Sequence, residues 1–442
     1  MVSRACPTLA LLAVNMWYAR KLMYEEYAAY QSVWLWINAS TLLASLGLPK
    51  YILTFGDYRQ LFSKLSKAVL GFVSLLLVIG AYYISPFRSV FSTTEMIMFV
   101  AIIFIQIIIL VFEAQLLHAQ KNRRLMFSSL LFTILFLVGH ITVQQLGFSM
   151  TSWLAMMCII VCFRAITMRV PSTIAPLGNE KPSELKWIAS NDALQFLTKW
   201  LDKIILAYFL TPKEYSIYFN GTNEIPLTGV LISVFGAAFS VHVLKPKISG
   251  FQAAIFRRSA SAFSAVLFPL FGLCLFFPQE IITALFGMQY SSASSLFALM
   301  ALLLPMRIVA YTPLLQHQGL GKIILLGACI DLSLVVILAL LLYPTFGLSG
   351  VAIAVVAATY CQVAFYLYHI LRSYKISLSE LFEWRLLGVR LLTVTLVFLG
   401  LRTCLKSISN YTSLIVALSV CAPLTAHYIL REWRKTASVD KE

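Results

Sequence analysis

The chain has 442 residues, of which 60% are hydrophobic and only 12% are charged, and its mean hydropathy is +0.85. A soluble domain carries roughly 25% charged residues, so this composition excludes a chain that covers its surface with water-facing groups. The lipid bilayer must be its main solvent. The net charge of +16 raises the question of a nucleic-acid partner, and the positions of the basic residues argue against one.

Apolar runs of about 17–25 residues follow one another along the chain, which is the length that a membrane-spanning helix needs. Backbone groups in lipid must be satisfied internally, and runs this long fit helices rather than barrel strands. The sequence therefore predicts an all-α polytopic membrane protein with about fourteen transmembrane helices. In chain order the predicted spans are Val2–Tyr18, Tyr27–Leu48, Ala68–Ile84, Met96–Leu117, Leu125–Gln144, Met150–Met168, Trp187–Leu210, Tyr215–Val243, Ala260–Leu285, Ser292–Leu315, Ile323–Tyr343, Leu348–Leu371, Leu386–Leu401 and Tyr411–Leu430.

The lysines and arginines divide unequally between the two sides of the membrane. With fourteen spans both termini lie on one side, whose loops carry 23 basic residues against six on the other side. The positive-inside rule assigns the richer side to the cytoplasm. We therefore expect cytoplasmic termini, with the basic loops in contact with membrane lipids and no nucleic acid as a partner.

A short pattern occurs twice and indicates an internal duplication. Leu22–Tyr30 reads L-M-Y-E-E-Y-A-A-Y, and Leu210–Tyr218, 188 positions later, reads L-T-P-K-E-Y-S-I-Y. Six predicted helices separate the copies, an even number, so both copies face the same way, as in a parallel repeat. The predicted domains are two six-helix lobes at 1–168 and 187–371, a cytoplasmic inter-lobe linker at 169–186, and two additional helices with a basic cytoplasmic tail at 372–442.

The seventh predicted span is the richest in polar residues. Asp192, Gln195, Lys199 and Asp202 follow i, i+3, i+7, i+10 spacing and share one face of the helix, and Lys203 lies beside them. Charged residues inside a membrane are costly and usually face a cavity. One interpretation is a polar stripe that lines a water-filled cavity; the other is an ion pair between Lys199 and Asp202 that simply docks this helix.

Arg164 and Arg307 are two further cations inside predicted spans. Insertion scales put the cost of an arginine in hydrocarbon at about 2.5–3.5 kcal/mol. Arg164 lies near the cytoplasmic end of its span, where it can snorkel to the interface, whereas Arg307 follows Pro305 in mid-segment. Guanidinium groups bind phosphate in a bidentate manner, so a cavity holding these cations suits a phosphorylated substrate.

Glu224, Asp202 and Asp331 are the candidates for coupling transport to an ion. Glu224 follows Asn223 in a segment with glycine and proline, which predict a kinked helix. It either carries a coupling proton or balances Lys199. Asp331 is a lone carboxylate in a span, so packing is the alternative to proton transfer. Asn223 is a candidate for contact with polar groups of the substrate.

Features of enzymes and metal sites are missing from the sequence. It has no P-loop, no H-E-x-x-H and no G-x-S-x-G pattern, and none of its five aspartates lies within three residues of another. Most of the eight cysteines lie in apolar segments, where cysteine behaves as a small hydrophobic residue. Cys158 and Cys162 are one turn apart without further ligands. We expect no catalytic residues, no metal and no cofactor.

Several motifs, in this order and spacing, resemble the polysaccharide-lipid flippases, which export O-antigen and capsule repeat units within the multidrug/oligosaccharidyl-lipid/polysaccharide exporter superfamily. The stretches are Ala19–Tyr30 followed by Leu46–Leu48, Leu201–Leu206 with Glu214–Tyr218, Leu285–Ala293 followed by Gln318–Lys322, and Pro344–Ala352. The family often has glycine after Glu-Tyr, where this chain has Ala28 and Ser216. The resemblance covers the first twelve predicted spans.

This resemblance implies two six-helix lobes around a V-shaped cavity that opens alternately to either side. It implies a flippase that moves an undecaprenyl-pyrophosphate-linked oligosaccharide across a bacterial inner membrane, with a polysaccharide polymerase and chain-length machinery as further partners. The alternatives are a cation-coupled drug or metabolite antiporter of the same superfamily and a membrane glycan polymerase or acyltransferase. The family has no invariant catalytic motif, so the site residues rest on the local arguments above.

Overall fold

The computed structural model describes residues 2–55, 71, 73–76, 78–80, 82–83, 91–169, 182–223, 249–406 and 408–439. All regular elements among these residues are helices. Their bounds are α1 Val2–Lys21, α2 Tyr24–Ala44, α3 Leu48–Phe55, α4 Thr93–His118, α5 Asn122–Gln145, α6 Met150–Met168, α7 Pro182–Phe209, α8 Pro212–Thr222, α9 Ser249–Phe276, α10 Pro278–Phe286, α11 Ser294–Ala301, α12 Thr312–His317, α13 Gly321–Phe346, α14 Leu348–Tyr374, α15 Leu378–Leu381, α16 Trp384–Cys404 and α17 Asn410–Val439, with 3-10 turns at Met288–Ala293 and Leu304–Ile308.

Eight helices in the described part of the chain are long and apolar enough to cross a membrane. They are Thr93–His118, Asn122–Gln145, Met150–Met168, Ala254–Phe276, Gly321–Phe346, Leu348–Tyr374, Trp384–Cys404 and Asn410–Arg434. The chain is therefore an all-α polytopic membrane protein, as the sequence predicts. Parts of the predicted spans Ala68–Ile84 and Tyr215–Val243 lie outside the described residues, so the count of fourteen stays a prediction.

The two copies of the repeated pattern start helices at equivalent positions. Glu26 accepts a hydrogen bond from the backbone N–H of Met23 at 3.1 Å, and α2 begins at Tyr24. In the second copy, Glu214 accepts from the backbone N–H of Thr211 at 3.1 Å and from its hydroxyl at 2.8 Å. The spacing shared by the two copies thus places a glutamate where it satisfies an orphan N–H at a helix start. The tyrosines of both copies are buried: Tyr27, Tyr30, Tyr215 and Tyr218.

The described residues pack as two compact units, Met1–Ser216 and Ile217–Glu442. In the first unit α4 packs against α6, α1 against α5, and α7 against α2 and α3. The predicted lobes at 1–168 and 187–371 are defined from the internal repeat, whereas these units are defined from packing. The lobes therefore stay a prediction.

Buried His140 connects three helices of the first unit. The Tyr18 hydroxyl donates to its carbonyl at 3.1 Å, and the Trp153 indole N–H donates to its Nε2 at 3.0 Å. Because Nε2 accepts, the ring proton sits on Nδ1 and is donated to the Phe136 carbonyl at 2.7 Å. A neutral imidazole with both nitrogens engaged is a structural tie between α1, α5 and α6.

The second unit is built on a tight hairpin and a three-helix cluster. Helices α13 and α14 pack along their length and are joined at Gly347, whose φ is +56°. A Cβ at Gly350 would lie 2.4 Å from the Leu342 carbonyl oxygen, so this close approach requires glycine. Helix α9 packs against both α16 and α17. It ends at Phe276, and α10 begins at Pro278, so the predicted span Ala260–Leu285 is interrupted at this proline.

Candidate functional site

The sequence predicts one continuous helix over Ser292–Leu315. This prediction is wrong, because the structure has two helices with an interruption between them. Helix α11 ends at Ala301, a 3-10 turn covers Leu304–Ile308, Val309 is extended, and α12 begins at Thr312. Pro305 explains the break, because proline has no N–H for the helical hydrogen bond and its ring clashes with the preceding turn. Irregular backbone at membrane depth is tolerated where the protein itself satisfies the freed groups.

Two tyrosines satisfy carbonyls of the interrupted segment. The Tyr360 hydroxyl, from α14, donates to the Leu302 carbonyl at 2.8 Å, and the Tyr311 hydroxyl donates to the Met306 carbonyl at 3.0 Å. These bonds supply partners that a continuous helix would have supplied itself. Arg307 lies in the 3-10 turn, one residue after Met306, and is partly exposed. The interruption between α11 and α12 therefore carries a guanidinium group at a point where the regular α-helical hydrogen bonding is lost.

A second polar site lies between α13 and α14. Asp331 is 6% exposed, and its Oδ1 has no hydrogen-bond partner among the described residues. Tyr366, which lies within electrostatic range of this carboxylate, donates its hydroxyl to the Ile324 carbonyl at 2.9 Å. Gln362 donates to the Gly327 carbonyl at 3.2 Å. A buried carboxylate with an unsatisfied oxygen calls for an explanation, and a bound proton or cation is one.

Glycine at position 327 gives Tyr366 its place beside Asp331. A Cβ at Gly327 would lie 2.2 Å from a ring carbon of Tyr366. Any larger residue would displace the Tyr366 ring, because the ring is rigid and cannot change shape to make room. Tyr366 and Gln362 are not among the site residues predicted from the sequence. The available signal was their spacing, since i and i+4 on a helix share a face.

In the first unit, Arg164 lies between a carboxylate and an aromatic ring. Its Nη2 is 3.8 Å from Glu113 Oε2, and its guanidinium carbon is 4.4 Å from the centre of the Phe132 ring. The Arg164 side chain is 14% exposed, and its Nε has no hydrogen-bond partner in the described part of the chain. The 3.8 Å separation is an ion pair without a hydrogen bond, so the guanidinium retains donors that an anion can use.

The polar stripe predicted on the seventh span lies on α7. Asp202 and Lys203 form an ion pair at 3.3 Å, and Lys203 is 4% exposed and 5.5 Å from the centre of the Trp200 ring. The backbones of the other three stripe residues lie on α7, but their side chains are outside the described part: Asp192, Gln195 and Lys199. Their shared face stays a prediction.

The remaining predicted residues lie at and beyond the end of α8. Asn223 follows the helix, is partly exposed, and donates its backbone N–H to the Phe219 carbonyl at 3.0 Å. Glu224 lies outside the described residues. Arg164 and Lys203 belong to the first unit, and Arg307 and Asp331 to the second.

No protein-family model matches the chain, and no curated protein matches its sequence. Solved structures do match its fold. One is the lipid II flippase MurJ in an inward closed conformation, with 13% identity, coverage of 99% of both chains and a TM-score of 0.68. Another is an inward-facing multidrug resistance MATE family transporter of the MOP superfamily, with 17% identity, coverage of 84% of this chain and 96% of that chain, and a TM-score of 0.52.

A MATE protein in the bent conformation gives a similar result, with 17% identity, coverage of 85% of this chain and 93% of that chain, and a TM-score of 0.53. At identities this low the likeness concerns the fold. The chain therefore has the fold shared by these membrane transporters, over almost its whole length in the case of the flippase.

Proposed function

We propose that the chain is a flippase that moves an undecaprenyl-pyrophosphate-linked oligosaccharide across the bacterial inner membrane by alternating access. The cargo is an O-antigen, capsule or exopolysaccharide repeat unit. The observation that carries the proposal is Arg307, a guanidinium at the interruption of the predicted span Ser292–Leu315. The fold that the chain shares with a lipid II flippase over 99% of its length supports the same proposal.

The chemistry of the cargo explains why cations are needed inside the membrane. A pyrophosphate carries negative charge that hydrocarbon cannot solvate, and guanidinium groups bind phosphate oxygens in pairs. Arg307 and Arg164 supply such groups, with Lys199 and Lys203 on α7 as further cations. Asp192, Gln195 and Asn223 bind sugar hydroxyls or hold these cations.

The coupling step needs a group that changes charge during transport. Asp331 is the best candidate because its carboxylate is buried and one oxygen has no hydrogen-bond partner among the described residues. A bound proton or metal cation removes the cost of that buried charge. Asp202, which is already paired with Lys203, and Glu224 are the other two candidates for this role.

Asp331 also favours the second candidate function, a cation-coupled drug or metabolite antiporter. Such a protein requires a carboxylate that binds the driving ion and no site for a pyrophosphate. The fold likeness to MATE transporters supports this reading, although at lower TM-scores than the flippase.

A membrane glycan polymerase or acyltransferase is the third candidate. A flippase would deliver its cargo to a polysaccharide polymerase and its chain-length machinery.

Arg307→Ala tests the proposal directly. Loss of a charge-assisted hydrogen bond costs about 1.5–3 kcal/mol, which is roughly 10- to 150-fold in binding. In cells whose sole copy carries this variant, we expect a complete, unpolymerised repeat unit on undecaprenyl pyrophosphate to accumulate on the cytoplasmic face. Mass spectrometry of the lipid-linked glycans, with and without an external glycosidase, measures both the amount and the side.

Arg258→Ala is the matched control, because Arg258 is an exposed cation in the first half of α9. It should leave the glycan pool unchanged while both variants insert in equal amounts. Accumulation of the unpolymerised unit on the periplasmic face would point to a polymerase instead. A normal glycan pool in a deletion strain would contradict the flippase and favour the antiporter.

A further inference from the structure

The two C-terminal helices of the second unit present basic and aromatic residues together at their adjoining ends. Arg385 is the second residue of α16, and Arg431 and Arg434 lie in the last third of α17; all three are exposed. Two tryptophans lie next to them in sequence, Trp384 with 50% exposure and Trp433 with 67%. We call these five residues the tail surface.

A buried arginine holds the two helix ends together. Arg390 is 1% exposed and donates to the Ser261 carbonyl at 2.6 Å and to the Ser264 hydroxyl at 2.8 Å, both on α9. It also pairs with Glu432, which lies within the basic stretch of α17. Five residues of helix separate Arg390 from Arg385, roughly 7.5 Å along the axis. The tail surface is therefore presented by a fixed three-helix junction.

The carboxylates near this junction are already engaged. Glu383 forms an ion pair with Arg257 at 3.7 Å, and Glu432 pairs with Arg390. Glu380 accepts a hydrogen bond at 2.6 Å from the backbone N–H that precedes α15. Within the described ranges, no carboxylate pairs with the three arginines of the tail surface. Their charge is available to a partner outside the chain.

The neighbouring exposed side chains indicate what that partner is. Further along α16 the exposed side chains include Val389, Leu392, Leu396 and Leu399, and just before the tail surface α17 exposes Ile429 and Leu430. Exposed aliphatic side chains on a membrane helix face acyl chains. Tryptophans concentrate at the boundary between hydrocarbon and water. The tail surface thus lies at the depth of lipid head groups, where its arginines meet phosphate.

We propose that the tail surface binds the head groups of anionic phospholipids of the surrounding membrane. This lipid is distinct from the transported cargo, and its site is distinct from Arg307 and Asp331. The arrangement fits this role, because exposed guanidinium groups are suited to phosphate oxygens, exposed indoles are suited to the interface, and the Arg390 network keeps both helix ends in place. Each basic residue near an anionic surface contributes about fivefold in affinity.

The test is a binding titration of the purified full-length chain in detergent with phosphatidylglycerol and, separately, phosphatidylcholine, followed by native mass spectrometry. The test variant is R385Q/R431Q/R434Q. We expect the unaltered chain to bind phosphatidylglycerol at least tenfold more tightly than phosphatidylcholine. The variant should lose about 100-fold in affinity for phosphatidylglycerol, the product of three fivefold steps, and little for phosphatidylcholine.

The matched control is K322Q/R258Q/R372Q, which removes the same number of exposed cations from the same unit. It should retain binding, and so should R385K/R431K/R434K, which keeps the positive charge. An equal loss in the test and control variants would overturn the proposal, since the attraction would then reflect total charge. Equal affinity of the unaltered chain for both lipids would overturn it as well. Matching melting temperatures show that the variants fold.

Discussion

Arg164 in the first unit and Arg390 in the second occupy similar surroundings. Each lies inside a membrane helix near one of its ends, each faces a glutamate on another helix, and each guanidinium lies over an aromatic ring at 4.4 or 5.1 Å. Both are arginines, so the free energy of inserting the side chain into hydrocarbon is about the same for the two residues. The surroundings nevertheless satisfy the two side chains to different degrees.

Arg390 uses most of its hydrogen-bonding capacity. Its Nη1 donates to the Ser261 carbonyl and the Ser264 hydroxyl, its Nη2 binds Glu432, and its Nε alone has no partner among the described residues. Arg164 keeps 14% of its side chain exposed and lies 3.8 Å from Glu113, beyond hydrogen-bond distance. The difference distinguishes a cation that holds helices together from a cation with donors to offer.

The same distinction applies to carboxylates in the second unit. Glu280 is 3% exposed and pairs with Arg402 through Oε1, although its Oε2 lacks a hydrogen-bond partner, whereas buried Asp331 forms no ion pair with any described residue. Satisfied groups stabilise the fold; unsatisfied ones lower its stability and persist where a ligand completes them. Substitutions should therefore separate the two kinds of residue by their effects on stability and on transport.

Arg390→Ala should have the largest effect on stability. Removing one partner of a buried ion pair leaves an uncompensated charge, here Glu432, and costs about 3–5 kcal/mol. We expect this loss in the free energy of unfolding of the purified protein, measured by denaturant titration in detergent.

The double variant R390M/E432M serves as the control, because replacing both partners with apolar groups of similar size is close to neutral. It should recover to within about 1 kcal/mol of the unaltered chain. A single Arg390→Ala variant as stable as the unaltered chain would remove the basis of the comparison.

Asp331→Asn should raise the free energy of unfolding, whereas Arg390→Ala lowers it, and the change should be smaller. Removing a buried charge whose oxygen lacks a partner should stabilise the fold by about 1 kcal/mol, while transport should fall to background because an amide cannot bind and release a proton. The measurements are the melting temperature and the appearance of repeat units at the outer face. Glu383→Gln, at a partly exposed ion pair, should change neither by much. A destabilised but active Asp331→Asn variant would make Asp331 a packing residue.

Much of the fold follows from the sequence. The apolar runs predict the membrane helices, and Pro278 predicts the end of α9. The repeated Glu-Tyr pattern, which indicates a duplication, also marks two equivalent helix starts, because Glu26 and Glu214 each accept a hydrogen bond from the residue three positions earlier. Local signals of this kind need no knowledge of distant contacts.

The interruption around Arg307 could not be predicted in the same way. Pro305 allows either a kink or a break, and the outcome depends on Tyr360, which supplies a donor to the Leu302 carbonyl from 58 residues away. The partners of Arg164 and Arg390 are likewise on other helices. Sequence spacing identifies the charged residues, whereas tertiary packing decides which of them are satisfied.

Arg164→Ala should have the smallest effect on stability and a large effect on transport. The ion pair with Glu113 spans 3.8 Å without a hydrogen bond, and both side chains keep some contact with solvent, at 14% and 18% exposure. The free energy of unfolding should therefore fall by much less than the loss of about 3–5 kcal/mol expected for Arg390→Ala. If Arg164 binds the pyrophosphate, repeat units should accumulate on the cytoplasmic face, and Arg164→Lys should restore transport only in part because lysine lacks the bidentate geometry. Arg123→Ala, an exposed cation at the start of α5, is the control and should transport normally. A strongly destabilised Arg164→Ala variant would place Arg164 with Arg390 among the structural arginines, and the cargo's phosphate would then depend on Arg307 and the lysines of α7.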